Sequence, residues 1–472
     1  MSSTYTINNF KGINTKVNPL LQEEGSLLTC VNLDADPIGA KTKRGGLETF
    51  LNNPDSEQVN NIFSFQAGTV DYLYRMSGSI CYYYEIGGAG TTWTPAGNGT
   101  FSGGGRLGNT VLYDTMIAGN GIGSTRHTTN GTSFTDTTLA PLARYWTNNF
   151  GRGYAANDQT LFWSSANDIT NWSTGGTSDS SSIQLPGGGT ANGLFATYNR
   201  VIASKSSGLM HRWDSYARET VPGELAPTSN WANTNMDDLR LYPNRRGIYA
   251  FSGDYPKLIS RPIEKQFYNQ ANSGIPGTLF SDLAAGEFNY TYYLSEGSYT
   301  DPMTGNSLNN AVAVYDYFDN EFSNYQWPFT PTSYGDYTDE NGDSWQLLGD
   351  STGQVYRVNN SLTSDVGTAI EAYMEGFSVL EKGYQDKKVY RAWIHTNPGC
   401  QAKLQISMTN SLFETSRKWF DVGDLSRGVT YVEFPQDKNR GKYLFYRVYE
   451  SSSDAPWTIY GITFEFDYVG DK

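Results

Sequence analysis

Four oxygen-bearing side chains lie within five residues in the second half of the chain: Asp339, Glu340, Asn341 and Asp343. Carboxylate and amide oxygens are the ligands that Ca²⁺ takes in proteins, so this stretch could hold a calcium ion. The spacing supplies only half of a calcium loop, because no bidentate glutamate follows where such a loop closes. We therefore favour a polar hairpin turn and predict no metal site.

The three histidines, His127, His211 and His395, limit the catalytic chemistry open to the chain. None is spaced for zinc binding, and no serine or cysteine stands in a recognisable nucleophile motif. A sialidase-like glycoside hydrolase would need an arginine clamp and a tyrosine–glutamate pair, and no arginine-rich opening precedes the first hairpin. We predict that the chain is not an enzyme, with this hydrolase as the catalytic alternative.

Glycine-rich connectors raise the question of a phosphate-binding loop. They are Gly87–Gly90, Gly97–Gly105, Gly175–Gly176 and Gly187–Gly189. A phosphate cradle needs Gly-Lys-Ser/Thr at the end of such a run, opening a helix, and none of the four has it. We interpret them as flexible connections between strands and predict no cofactor.

The net charge of the chain indicates which classes of partner it can bind. With 34 basic and 48 acidic residues the net charge is −14, and such a surface repels nucleic-acid phosphate. Sequence-specific DNA binding is disfavoured, although a repelling wall is compatible with DNA sliding past. No secretory signal and no long apolar run occurs, so we predict no membrane partner and synthesis in a cytoplasm, which suits three reduced, buried cysteines.

A hairpin that recurs along the chain supplies the elements to position these residues. Val201–Trp213 reads as a strand, a polar turn with glycine and a second strand, and similar hairpins occur at Tyr72–Tyr84, Tyr154–Ser164, Ile248–Ser260 and Trp345–Val358. Weaker copies occur at Val111–Arg126 and Tyr290–Tyr317. About seven hairpins every forty to fifty residues predict an all-β fold with a β-propeller of about six to seven blades over residues 51–364. The alternative is a β-sandwich or jelly roll with coincidental spacing.

One stretch of the predicted propeller is similar to the Asp-box of sialidases and other propellers. Thr338, Gly342, Ser344 and Trp345 match that hairpin motif, and Glu340 stands where its aspartate is expected. The motif indicates a propeller and carries no information about catalysis.

The two ends of the chain depart from the hairpin repeat. Residues 365–472 hold alternating strands at regular spacing, which predicts a C-terminal β-sandwich of about 100 residues. Residues 1–50 predict an extended N-terminal arm that docks on other subunits. Within it, Lys41, Lys43 and Arg44 form the strongest basic cluster, either a solvated loop or a contact to an acidic neighbour.

Inside the propeller, Ser295–Asn310 reads as a long inserted loop with turn signals at Asp301 and Asn306. Long loops in repeat proteins often lie on one face and make contacts. The interface candidates are therefore Phe10, Asn14, Lys41, Lys43, Arg44, Asp301 and Asn306.

The N-terminal segment also resembles the N-termini of bacteriophage tail and head–tail junction proteins. The matching residues are Asn9, Phe10, Gly12, Asn14, Asn32, Leu33, Asp34, Pro37, Gly39, Lys43, Arg44 and Gly46. The group is similar to the propeller-based tail hub, packaged-DNA stabilisation and nozzle proteins of short-tailed phages. The resemblance implies a virion protein in a ring of six copies between portal or adaptor and tail proteins, with genomic DNA passing through it.

A second class of function stays open. Exposed tyrosine and tryptophan with asparagine and aspartate would also suit a carbohydrate- or receptor-binding propeller. A junction protein should form a ring with a channel, whereas a lectin should bind glycan as a small oligomer.

Overall fold

The computed structural model of the chain describes residues 2–16, 21–36, 38–175, 178–214, 217–267, 283–301, 304–381, 385–411, 417–425, 427–452 and 457–469. Almost all of its regular structure is antiparallel sheet, as the alternating sequence predicts. Short helical turns occur at Asn230–Ala232, Arg261–Ile263 and Glu264–Phe267.

Five separate four-stranded sheets follow one another along the chain, and we number them blades 1 to 5. Blade 1 has strands Val59–Ala67, Val70–Ser77, Ile80–Glu85 and Thr94–Thr100. Blade 2 has Gly108–Leu112, Thr115–Gly119, Arg126–Thr128 and Thr135–Asp136. Blade 3 has Tyr145–Asn149, Arg152–Asn157, Thr160–Trp163 and Ser181–Gln184, with a small hairpin of Thr174–Gly175 and Ser178–Asp179 in its outer turn. Blade 4 has Ala191–Thr197, Arg200–Lys205, Met210–Trp213 and Arg218–Val221, and blade 5 has Thr234–Met236, Leu239–Asn244, Gly247–Phe251 and Lys257–Leu258.

Two further units complete the ring, and each is joined to another part of the chain. Blade 6 consists of Ala285–Phe288, Thr291–Thr300, Ser307–Asp316 and Glu321–Gln326, and its last strand continues into a nine-stranded sheet. Blade 7 consists of Ser333–Thr338, Ser344–Gly349 and Val355–Asn359. Its outer strand is Gly46–Phe50 from the N-terminal segment, and Ser364–Asp365 and Thr368–Ala369 extend the same sheet.

Buried apolar clusters close the ring, because neighbouring blades share them. Val59, Ile62 and Leu73 of blade 1 pack with Tyr337 and Leu347 of blade 7 in one such cluster. Blades 1 and 2, 2 and 3, 3 and 4, 4 and 5, 5 and 6, and 6 and 7 share the others. The predicted β-propeller is therefore confirmed, and each hairpin is held by apolar burial that it could not achieve alone.

The C-terminal region forms the predicted β-sandwich from two facing sheets. The first sheet contains Ser3–Ile7, Leu33–Ala35, Lys41–Lys43, Lys387–Pro398, Arg427–Glu433, Arg440–Gly441 and Thr458–Tyr468. The second contains Leu27–Val31, Ala372–Ser378, Lys403–Thr409, Phe420–Asp424 and Tyr443–Glu450, and it is the sheet that continues into blade 6.

The N-terminal segment is woven into both units, which the sequence did not predict. Four of its strands belong to the sandwich, and the fifth, Gly46–Phe50, pairs with Val355–Asn359 of blade 7. Extended strand conformation is thus present, but the segment does not project from the body of the chain. Its apolar residues Phe10 and Ile13 join one buried cluster that runs from blades 5 and 6 into the sandwich.

Leu47 offers a test of the contribution of this segment to ring closure. It lies in the blade 7 strand that the N-terminal segment supplies and is 1% exposed in the cluster between blades 6 and 7. Leu47→Ala should lower the free energy of unfolding by about 2–5 kcal/mol, because it leaves a cavity in a packed core. The matched control is Leu142→Ala at a half-exposed site, expected to change it by about 0.5 kcal/mol or less. Equal chemical-denaturation midpoints for the two variants would contradict this closure.

Candidate functional site

The residues of the predicted basic cluster meet different parts of the fold. Lys41, Lys43 and Arg44 are 2–3% exposed, so the expectation of a solvated loop is wrong. They do contact acidic groups, but those groups belong to the same chain. Buried in this way, the three side chains are not available to an acidic neighbouring subunit. We call the region around them the joint, because it lies where the propeller, the sandwich and the N-terminal segment meet.

Arg44 is the most highly connected residue of the joint. Its guanidinium forms a two-pronged ion pair with Asp365, with Nη1–Oδ1 and Nη2–Oδ2 distances of 2.9 and 2.7 Å. The remaining N–H groups donate to Asn32 Oδ1 at 2.8 Å, Gly45 O at 2.8 Å and Gln326 O at 2.9 Å. All five donors of the guanidinium are therefore used. Its planar face lies 3.8 Å from the ring centroid of Trp327.

Each of these partners belongs to a different element. Gln326 ends the outer strand of blade 6, Asp365 follows blade 7, and Asn32 lies between two sandwich strands. Asn32 adopts a positive φ of 56°, a conformation that asparagine tolerates better than most residues. Its Nδ2 donates to Glu371 O at 2.7 Å, and its Oδ1 accepts from the Gln326 N–H at 2.8 Å. One arginine and one asparagine thus fix the relative positions of both blades and the sandwich.

The two lysines of the cluster make separate connections. Lys43 Nζ lies 2.5 Å from Glu450 Oε2 in the sandwich, with both side chains 1% exposed, and it also donates to Ser452 O at 2.6 Å. Lys41 Nζ lies 2.6 Å from Glu321 Oε2 at the start of the outer strand of blade 6. Three basic residues within four positions therefore reach three carboxylates far away in sequence.

Glycines of the motif allow the chain segments to approach closely. A Cβ on Gly12 would lie 2.7 Å from the backbone N and O of Phe322, and one on Gly46 would lie 2.0 Å from Ser364 O. These separations are shorter than side-chain carbon contacts permit. The glycines of this motif are therefore required by backbone packing at the joint.

The other N-terminal interface candidates also lie inside the joint region. Phe10 is 1% exposed, and its N–H donates to Gly39 O at 2.8 Å. Asn14 is half-buried, and its N–H donates to Leu27 O at 2.9 Å. Both residues hold the segment to its own chain, and Pro37 of the motif lies outside the described residues.

The predicted docking loop of blade 6 is mostly strand. Residues 291–300 and 307–316 form a long hairpin, so the expectation of a loop over Ser295–Asn310 is wrong. Asp301 is 2% exposed; its carbonyl accepts from Gly305 N–H, and its own N–H donates to the carbonyl of half-buried Asn306. These two predicted contact residues close a tight turn. Pattern reading failed here because Gly297 and two bulges interrupt the alternation of the strands.

That hairpin carries a buried carboxyl group that the sequence reading missed. Glu296 is fully buried, and burial raises its pKa to about 8, an effect that neighbouring Tyr299 partly offsets. Burial raises the pKa of Tyr292 and of Tyr334, and the charge of the Glu296 carboxyl group adds to both shifts. Glu296 lies at the first of the two bulges, and nothing in the sequence distinguished it from a surface residue.

The Asp-box hairpin uses a different acid from the one expected. Asp339 Oδ1 accepts from the N–H groups of Asn341 and Asp343 at 2.9 and 3.0 Å, and its Oδ2 accepts from Trp345 Nε1 at 3.0 Å. The assignment of this role to Glu340 is therefore corrected by one position. The hydrogen bond from the Trp345 indole is the main cause that lowers the pKa of Asp339. The oxygens of Asp339 are thus used inside the turn.

A cleft of about 560 Å³ opens beside the joint, between blades 6 and 7. Its walls combine aromatic rings with carboxylates, among them Phe288, Tyr293, Tyr325, Trp327, Trp345, Asp34, Asp316 and Asp343. The Tyr325 hydroxyl donates to Asp34 Oδ1, and burial raises the pKa of that carboxyl group while the hydrogen bond opposes the shift. Sequence reading missed this cleft because its walls come from segments some 300 residues apart.

The part of the chain that the structure describes holds no group of three histidine, cysteine or acidic side chains able to bind a metal ion. His211 is packed in its strand, with Nε2 3.0 Å from Pro186 O, and burial lowers its pKa. Cys30, Cys81 and Cys400 are buried free thiols. None of the described helices is both long and apolar enough to span a membrane.

Comparison with known proteins yields only distant structural likeness. No protein-family model and no curated protein matches the chain. The computationally designed Ika8 protein is similar over 66% of this chain and 99% of its own, at 10% identity and a TM-score of 0.39. U3-55K is similar over 66% and 98% at 7% identity and a TM-score of 0.43, and YCF48 bound to D1 peptide over 70% and 97% at 11% and 0.40. Likeness at this level carries no argument about function.

Removing Arg44 tests the joint. Arg44→Met should lower the free energy of unfolding by about 3–5 kcal/mol, because it leaves Asp365 buried without a counter-charge. Adding Asp365→Asn should recover part of that loss. The control is Arg440→Met, whose side chain is 60% exposed in an ion pair of 3.5 Å and should contribute about 1 kcal/mol or less. Equal losses for the two single variants in urea unfolding would contradict the assignment.

Glu296 predicts a pH dependence of stability. Its folded pKa of about 8 lies above the ordinary value of 4.5, so the folded state binds its proton more tightly. The stability gained from this proton binding is complete below about pH 4.5 and is lost as the pH rises toward 8. Glu296→Gln should remove this pH dependence, because the amide does not titrate. At pH 8 the variant should therefore be more stable than wild type, by on the order of a few kcal/mol.

The measurement is urea unfolding of wild type and Glu296→Gln between pH 5 and pH 8, compared at each pH. The matched control is Glu340→Gln on an exposed turn, which removes a carboxyl group outside the core. If the difference between wild type and Glu296→Gln stayed constant over this range, the buried titration would be ruled out.

Proposed function

We propose that the chain is a structural virion protein of a bacteriophage tail or head–tail junction. In this proposal about six copies form a hub or nozzle ring between portal or adaptor and tail proteins. The ring seals and extends the DNA conduit, retains the genome and releases it at infection. The role is mechanical and not catalytic.

The observation that carries the proposal is the position of the N-terminal motif. Gly12, Asn32, Lys43, Arg44 and Gly46, which carry the resemblance to tail and junction proteins, are the residues that build the joint. The resemblance therefore rests on residues with a demonstrable architectural role. A rigid link between a propeller and a sandwich suits a subunit that must bear the load of a packaged genome.

The charge of the chain is compatible with this role. A net charge of −14 disfavours tight binding of DNA along the conduit, so that DNA could move past without being held. Buried ion pairs at the joint are shielded from salt, unlike ion pairs at an exposed surface. The fold could therefore keep its shape across the ionic conditions inside and outside a cell.

The cleft between blades 6 and 7 favours a second candidate function. Aromatic rings with carboxylates in a cleft of this size could stack on a sugar ring and accept hydrogen bonds from its hydroxyls. A carbohydrate- or receptor-binding propeller of a tail would use such a site. It differs from the first candidate in its oligomeric state and in its dependence on glycan.

The proposal can be tested with a C-terminally tagged chain incorporated into phage particles and labelled with gold. Electron microscopy should place the label at the neck or tail, and particle averages should contain six copies around a central channel. The untagged chain is the control for non-specific labelling. Absence of the chain from purified particles would overturn the proposal, and glycan binding by a small oligomer would favour the second candidate.

A further inference from the structure

One face of the propeller carries a set of exposed aromatic side chains. In each antiparallel blade, the turn after the first strand and the turn after the third strand lie on the same face. Exposed aromatic residues occupy these turns in blades 2 to 6: Tyr113, Phe150, Tyr198, Tyr255, Tyr290 and Phe318. Tyr198 is 95% exposed and Phe318 is 73% exposed. We call this surface the aromatic face.

The opposite face differs in composition. Its turns and blade connections, where the structure describes them, expose the aliphatic residues Ile122, Leu139 and Leu142. Exposed single apolar residues are normal on a protein surface, but a set of rings in five blades on one side is a concentrated feature. The asymmetry indicates that the two faces have different contacts.

Three of the rings occupy backbone positions that disfavour them. Tyr113, Phe150 and Tyr290 have φ values of 52°, 50° and 61°, in the left-handed region where glycine or asparagine is usual in hairpin turns. These residues remain 38–66% exposed, so burial within the chain offsets only part of that strain. Their cost to folding is explained if the rings are used in contact with another molecule.

Part of the surface is already ordered. The rings of Tyr290 and Phe318 in blade 6 lie 4.7 Å apart between centroids, and the Tyr113 hydroxyl donates to Asn167 Oδ1 at 2.8 Å. These contacts fix the rings while leaving much of their area exposed. A rigid aromatic surface loses less conformational entropy on binding than a mobile one.

The aromatic face is also acidic. Exposed carboxylates on the same turns or beside them are Asp71, Asp114, Asp237, Asp238, Asp319 and Glu340. Basic groups at or beside these turns are Arg200 and Arg212, both paired with Asp254 at 2.7 and 3.3 Å, Arg152, paired with Asp179, and the exposed Arg218 and Lys257. The balance of exposed charge is negative, so the surface repels phosphate and attracts cations.

We propose that the aromatic face docks a lysine- and arginine-rich surface of a partner protein. Guanidinium and ammonium groups would stack on the rings and pair with the neighbouring carboxylates, so both features of the face are used by one class of partner. The inference deepens the proposed function, because it names the chemistry of a neighbouring protein of the ring.

The experiment measures binding of fluorescent deca-arginine to the full-length chain by anisotropy at low and physiological salt. The triple variant Phe150→Asn, Tyr198→Asn and Phe318→Asn keeps the net charge, and its affinity should fall about tenfold or more. The control variant Ile122→Asn, Leu139→Asn and Tyr431→Asn removes exposed apolar groups elsewhere and should retain wild-type affinity. Circular dichroism verifies that both variants are folded.

A second pair of variants tests the carboxylates at equal charge. Asp237→Asn with Asp238→Asn should weaken binding more than Asp424→Asn with Asp437→Asn, which lie in the sandwich. The inference is overturned if the aromatic triple variant binds deca-arginine as its control does and the two aspartate double variants weaken binding equally. Binding would then reflect non-specific attraction to an acidic chain. Binding of cello- or chito-oligosaccharides that is lost only in the aromatic variant, with deca-arginine unaffected, would overturn it in favour of a glycan.

The outcome is separable from that of the proposed function. If deca-arginine binding does not depend on the aromatic face while the chain is found in particles, only the docking inference fails. If binding behaves as expected and the chain is absent from particles, the face is a docking surface of a protein with another role.

Discussion

The architecture depends on one buried guanidinium. Arg44 uses all five of its donors on Asn32, Gly45, Gln326 and Asp365, and its face lies on Trp327. A charge buried this deeply is stable only where every partner is present, so the elements that supply those partners must be assembled together. Separation of these elements would expose a buried charge or leave it without its partner. The elements are the N-terminal segment, blade 6 and the strand after blade 7. We therefore expect the propeller and the sandwich to unfold together.

The same segment closes the ring and completes the sandwich. Gly46–Phe50 is the outer strand of blade 7, and Ser3–Ile7 and Leu27–Val31 belong to the two sandwich sheets. Apolar burial supplies the driving force along this path, and the ion pairs of Lys41 and Lys43 fix its register. The propeller and the sandwich are therefore connected by paired strands and buried contacts that both units share.

The sequence predicted the local hairpins but not the pairing of strands that lie far apart in the chain. Hairpins such as Val201–Trp213 are visible because alternation and turn chemistry are local, and they were sufficient to predict the propeller and the C-terminal strands. The pairing of Gly46–Phe50 with Val355–Asn359 was not accessible, because nothing local specifies a partner 300 residues away. For the same reason Lys43 and Arg44 looked like surface charges, although Glu450 and Asp365 bury them. The aromatic face was also hidden, since its rings come together only when the blades are placed around an axis.

The central claim is that the joint makes the propeller and the sandwich a single cooperative unit. Differential scanning calorimetry of the intact chain tests it directly, because independent units unfold separately. The account predicts one endotherm whose calorimetric and van't Hoff enthalpies agree. Two resolved endotherms, or a calorimetric enthalpy well above the van't Hoff value, would show that the two units unfold independently and would contradict the account.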